Sequence, residues 1–162
     1  MNYIFSAMFL YIFLGLLLYI FQRRIIFNKS GHPGAPQDYN LTKTEEIYIK
    51  TEDSLDLLSW YHKGDNSLPL LVYFHGNSFH IGDRAYRIER YIERNWSVLL
   101  VSWRGFGGNK GNPTEKNLYK DAEAVLKWIK NNTEFKFKYL VIYGESLVSG
   151  SAVEMVTKYQ LL

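Results

Sequence analysis

The chain has 162 residues, 47% of them hydrophobic, with a net charge of +3 and no cysteine. This is room for one domain with a real core and not for two. Its basic residues are spread along the chain rather than clustered, which argues against a nucleic-acid surface. The lack of cysteine excludes disulfides, thiolate metal sites and a thiol nucleophile.

Tyr3 to Phe21 carries no charged residue and is built mainly of Phe, Leu, Ile and Tyr. As a helix it would span about 30 Å, the thickness of a bilayer's hydrocarbon core. Residues 1–22 therefore read as a transmembrane anchor whose partner is the lipid bilayer. A cleaved signal peptide and a buried helix are the alternatives, but no Lys or Arg precedes the run and no small-residue cleavage site closes it. Arg23, Arg24 and Lys29 follow at once, and the positive-inside rule then places the soluble domain on the cytoplasmic side. Residues 23–44, which include the turn-forming stretch Ser-Gly-His-Pro-Gly-Ala-Pro, read as a juxtamembrane linker, and the domain is expected over 45–162.

Within it, 46–51 and 55–61 read as a hairpin around Glu52-Asp53-Ser54. Leu70–Phe74, Val98–Val101 and Tyr139–Ile142 are short unbroken apolar runs, as expected of strands covered on both faces of a parallel sheet. Between them, Ile81, Ala85, Ile88 and Ile92 recur at helical spacing, as do Leu118, Ala122, Val125, Leu126 and Ile129. Val148, Ala152 and Val156 begin a third helix. Alternation of strand and helix predicts an α/β fold with parallel crossovers.

Three loops follow the carboxyl ends of the central strands, where such sheets bind ligands. In His75-Gly76-Asn77-Ser78-Phe79-His80 a glycine lets the backbone approach a substrate, and amides of the turn could face a developing oxyanion. Arg104 to Gly111 is glycine-rich, yet it fits neither the dinucleotide fingerprint nor the P-loop. The third loop is Tyr143-Gly144-Glu145-Ser146-Leu147-Val148, most of a nucleophile elbow, in which a serine tops a sharp strand-to-helix bend. Such a turn wants small residues two places either side of the serine; Gly144 meets that demand and Val148 does not. The competing reading is an ordinary junction in which Ser146 caps the helix.

Together these loops resemble the α/β-hydrolase superfamily, in its membrane-anchored branch related to serine aminopeptidase-like hydrolases. The resemblance rests on Tyr73-Phe74-His75-Gly76-Asn77, on Arg104-Gly105-Phe106-Gly107 continuing to Glu123, and on Tyr143-Gly144-Glu145-Ser146-Leu147. It implies an N-terminal portion of an α/β-hydrolase domain. Ser146 would be the nucleophile, the amides of Asn77 and Leu147 the oxyanion-hole donors, and His75, Gly76 and Gly144 the supporting loop residues. No cofactor is implied, and no metal-ligand spacing occurs.

In that family the chain order is serine, acid, histidine. Here His32, His62, His75 and His80 all precede Ser146, so each reads as structural or surface. The expectation is a serine hydrolase acting on an ester, thioester or amide of a small molecule or peptide, truncated before its acid and histidine and inactive by itself. A non-catalytic membrane-tethered fragment or pseudo-hydrolase is the alternative.

Overall fold

The computed structural model describes residues 2–132 and 137–159. Helix α1 (Asn2–Ile26) leads into strand β1 (Asn28–Lys29). A hairpin follows, β2 (Thr44–Lys50) and β3 (Asp56–His62), then β4 (Leu70–Phe74), β5 (Ser78–Phe79), helix α2 (Ala85–Ile92), β6 (Ser97–Val101), helix α3 (Glu115–Asn131), β7 (Leu140–Gly144) and helix α4 (Ser149–Tyr159). The predicted hairpin, three core strands and three helices are all present. The Ile81 turn is a short 3-10 segment leading into α2, and α4 is preceded by another over Ser146–Val148.

The main sheet has the order β2-β3-β6-β4-β7. β4 pairs in parallel with β6 on one side and β7 on the other, while β2 and β3 are antiparallel. Alternation along each strand divides the core into two layers, because successive side chains point to opposite faces. Leu70, Val72 and Phe74 of β4, with Leu99 and Val101 of β6, pack with Leu118, Val125 and Ile129 of α3 and Met155 of α4. Leu71 and Tyr73, with Val98 and Leu100, pack on the other face against Ile81, Ala85 and Ile88.

This division places the site. β4 feeds α2 on one face and its neighbour β7 feeds α4 on the other. A crevice therefore opens between the carboxyl ends of two adjacent strands, the switch point where open α/β sheets hold ligands.

α1 is long and apolar enough to cross a membrane, and none of its most apolar stretch is buried against the rest of the chain. The segment expected as a linker is instead laid down on the domain. Phe27 packs on the α3-side core and meets Phe106 edge-on at 6.4 Å, and β1 pairs in parallel with β5. The Tyr39 ring lies 5.3 Å from Trp60, its hydroxyl donates to the Pro33 carbonyl at 2.7 Å, and Leu41 is buried. Prolines and glycines there shape a fixed path, held by the few aromatic and aliphatic side chains that interrupt them.

The glycine-rich loop after β6 is also structural. Gly105, Gly107, Gly108 and Gly111 all have positive φ, which glycine alone adopts freely. Arg104 is buried beneath this loop: its guanidinium donates to Asp121 at 2.8 and 2.6 Å and to Asp53 at 2.7 and 3.1 Å. Asp121 is fully buried; the Arg104 hydrogen bonds, with the Thr51 hydroxyl, hold the Asp53 carboxyl well below the usual carboxylate range. Removing one member of a buried ion pair strands the other. Asp121→Ala is therefore expected to destabilise the domain by about 3 kcal/mol, read as a lowered denaturation midpoint in detergent micelles.

Candidate functional site

Ser146 is exposed and has φ of 56°, a left-handed conformation that costs a non-glycine residue about 1–2 kcal/mol. Serine as a helix cap normally sits in the extended region, so this backbone favours the elbow over the capping reading. Such strain persists only where its surroundings impose it. The imposition comes from close approach on the amino side: a Cβ at Gly144 would lie 2.7 Å from the Ser149 Cα and 2.8 Å from the Val148 carbonyl oxygen. Glycine is thus required two places before the serine. Two places after it, no such crowding exists. Val148 turns inward, is 1% exposed and joins the core between α3 and α4. The β-branched residue that departs from the elbow pattern is accommodated because its side chain fills core rather than the turn.

The turn begins helically at once. Glu145 is its N-cap residue and the Val148 amide donates to the Glu145 carbonyl. The amides of Ser146 and Leu147 precede any intrahelical acceptor, as the first donors of a helix do. Leu147, one of the expected oxyanion donors, thus has its N–H in the group of first-turn amides that favour negative charge.

The loops after β4 and β7 are held side by side. The Glu145 amide donates to the Phe74 carbonyl at 3.0 Å, continuing the strand pairing by one residue. A Cβ placed on Gly76 would stand 3.4 Å from the Glu145 carboxylate. Arg84, itself 8% exposed, clasps that carboxylate with two hydrogen bonds of 3.1 Å. The Tyr73 hydroxyl donates to it at 3.1 Å, and Arg87 lies 3.7 Å away. Burial works to raise the Glu145 carboxyl, but the hydrogen bonds and charge of Arg84, with Arg87 and Tyr73, outweigh it and hold the group below its ordinary value. Burial pushes the Tyr73 hydroxyl up to about 12, so it stays a donor. Sequence reasoning missed Glu145. Its one signal was a carboxylate inside a strand-to-helix turn, a place where an acid must find a cation or face solvent.

Asn77, the other expected oxyanion donor, is tied to the end of α1. Its side-chain amide donates to the Ile26 carbonyl at 2.6 Å, and its carbonyl accepts from the Asn28 amide at 3.0 Å. Among the described residues, its own N–H has no acceptor. His75 is fully buried, with its carbonyl accepting from the Trp103 indole at 2.7 Å and its ring edge-on to Phe106 at 5.3 Å. Burial, helped by the Arg84 charge, drives its pKa down to about 3. It is a neutral structural residue beneath the loop. His62 is likewise buried, within 3.1 Å of the Thr44 hydroxyl; His80 meets Asp83 at 2.9 Å, and His32 sits 4.0 Å from Glu46. Among the described residues no histidine is hydrogen-bonded to Ser146, and no cluster of acidic and histidine side chains could hold a metal ion.

No family model matches the chain. An uncharacterized protein of Mycobacterium tuberculosis is 32% identical over 142 residues, covering 85% of this chain and 50% of that protein. The alpha/beta hydrolase domain-containing protein WAV2 of Arabidopsis thaliana is 27% identical over 135 residues, covering 78% of this chain and 44% of the relative. An esterase of Pyrococcus furiosus superposes with a TM-score of 0.68 at 23% identity, over 84% of this chain and 54% of the esterase. The chain has the α/β-hydrolase fold and is similar in sequence to a protein named for that domain. It spans about half the length of the curated relatives it matches. Within this α/β-hydrolase fold, the strained serine and the His75-Gly76-Asn77 loop lie on neighbouring strand ends.

If the surroundings impose the left-handed turn, a residue free of that penalty should relieve it. Ser146→Gly is expected to be about 1 kcal/mol more stable than Ser146→Ala, which keeps the strain, in paired thermal unfolding experiments. His75 offers a second test. Its folded pKa of about 3 lies below the 6.5 of an unperturbed histidine, so the unfolded chain takes up the proton first. Its contribution is fully present above pH 6.5 and is lost as pH falls toward 3, at up to about 1.4 kcal/mol per pH unit. His75→Phe should flatten the stability profile over that window.

Proposed function

We propose that this chain carries the nucleophile half of a membrane-anchored serine hydrolase, with Ser146 as nucleophile and the amides of Leu147 and Asn77 as oxyanion donors. The observation that carries the reading is the exposed Ser146 at φ 56°, strain spent on a residue whose hydroxyl makes no described contact. The neighbouring hydrolases make the same chemistry the first choice.

In this reading the Ser146 Oγ attacks the carbonyl carbon of an ester, thioester or amide. The hydroxyl proton passes to a base, negative charge collects on the former carbonyl oxygen facing the two amides, and the leaving group departs with a proton. Water then releases the acyl group. A serine hydroxyl is a weak nucleophile at neutral pH without a base, and His75 cannot supply one because it is buried and held neutral. The reading therefore requires a histidine and an orienting acid brought to the elbow, and the 162 residues alone should turn over substrate negligibly. α1 is read as the anchor, with Arg23, Arg24 and Lys29 placing the domain on the cytoplasmic side.

The test is labelling by a fluorophosphonate probe in membranes of cells expressing the complete reading frame. Ser146 should be the modified residue in peptide mapping, and Ser146→Ala should lose the label. An unlabelled wild-type protein, or equal labelling of the variant, would refute the assignment.

A further inference from the structure

Three cations beside the end of α1 face one cavity. Arg23 and Arg24 of α1 and Lys29 of β1 line a space of about 560 Å³ against the loop that leads into α3, within the roughly 300–1,000 Å³ usual for small-ligand sites. Asn28 and Asn112 supply its uncharged polar groups, and Phe27 and Pro113 its apolar lining. No acidic residue lines it, and among the described residues none of the three cations is paired with a carboxylate. Glu115 shares a neighbouring cavity with Arg23, but its carboxylate accepts from the Tyr119 hydroxyl at 2.8 Å. The cavity is held in shape. β1 is paired with β5, the Lys29 Nζ donates to the Asn112 Oδ1 at 3.4 Å, and the Asn112 carbonyl accepts from the Asn117 side-chain amide at 3.1 Å. A Cβ on Gly105 would stand 3.2 Å from the Lys29 Cε and 2.8 Å from the Pro113 Cδ. The glycine-rich loop, which fits no phosphate motif of its own, thus makes room for a lysine beside the cavity.

Like charges gathered without a counter-ion repel, so an anion is the natural occupant. Depth selects which one. The uncharged run of α1 ends at Phe21, which sets the cavity just past the hydrocarbon core, at the level of lipid phosphates. We infer that this cavity binds the phosphate of an anionic phospholipid headgroup, with Arg23, Arg24 and Lys29 as its charge partners and Asn112 positioning Lys29. A soluble phosphate ester has the same chemistry, but the place of the cavity beside α1 favours the lipid. A zwitterionic headgroup suits it less, because its ammonium would meet three cations and no carboxylate. The bound lipid is not the substrate, since no residue of the Ser146 turn lines the cavity. The inference rests on α1 as a membrane span with the domain on the cytoplasmic side, where anionic lipids concentrate, and is independent of Ser146.

The test places the full chain in micelles doped equally with phosphatidylglycerol and phosphatidylcholine and reads the retained lipid by native mass spectrometry. Phosphatidylglycerol should be retained in preference, and Arg23→Gln, Arg24→Gln and Lys29→Gln should each cut that preference about fivefold. Asn112→Leu keeps every charge and should still weaken it, because Lys29 loses its anchor. Lys110→Gln, in the same loop but lining another cavity, should leave it unchanged, whereas attraction of any cation to an anionic surface would lower it as much as the others. Equal loss in Lys110→Gln, or no loss in the three cavity variants, would overturn the site. Displacement of the lipid by an equal concentration of glycerol 3-phosphate would reassign it to a soluble phosphate ester and overturn the lipid source. Flotation with phosphatidylcholine vesicles checks the anchor separately: a chain that floats without headgroup preference keeps the anchor and loses the site, and one that does not float loses both.

Discussion

The arrangement depends on one pairing. β4 and β7 run parallel from Leu70↔Leu140 to Phe74↔Gly144, and the bond from the Glu145 amide to the Phe74 carbonyl carries the register one step past the strands. Because the two strands send their helices to opposite faces, their following loops must part, and the crevice between them is where Ser146 stands. Every other feature of the site secures that juncture. Gly144 lets α4 close on the strand, Val148 locks the helix into the core, and Arg84 fastens Glu145 to the start of α2.

The Glu145 cluster explains how a strained residue survives. A left-handed serine is unfavourable by itself, and a chain free to relax would do so. Here both flanks are fixed. On one side the Glu145 carboxylate is held by two hydrogen bonds from a nearly buried guanidinium and one from a tyrosine; on the other Val148 is enclosed by apolar side chains. Charge-assisted hydrogen bonds out of water are among the stronger contacts available to a protein, so the turn has little freedom between them.

The two sheet edges differ in a way that fits their chemistry. β2 presents Glu45, Glu46 and Lys50 to solvent, charges that discourage pairing with another strand. β7, the other edge among the described residues, has no charged residue and exposes Tyr143. Its unbroken apolar composition is that of an interior strand. α1 joins this body through backbone bonds and Phe27 rather than through a free tether, which couples the long apolar helix to the loop carrying Asn77.

Much of this was legible in the chain itself. Short apolar runs alternating with helical stripes determine an α/β sheet with two covered faces, since only that arrangement buries both sides of such strands. Gly144-Glu145-Ser146 marked the turn, because its tightness demands glycine locally. What the sequence could not settle was every matter of distance along the chain. That Val148 is harmless, that His75 lies under its loop rather than in it, that residues 28–44 are folded, and that Glu145 meets Arg84 were decided by tertiary structure. Each depends on which face a side chain takes once remote strands have paired, and periodicity fixes the direction of a side chain relative to its own element but not the neighbour it will find there.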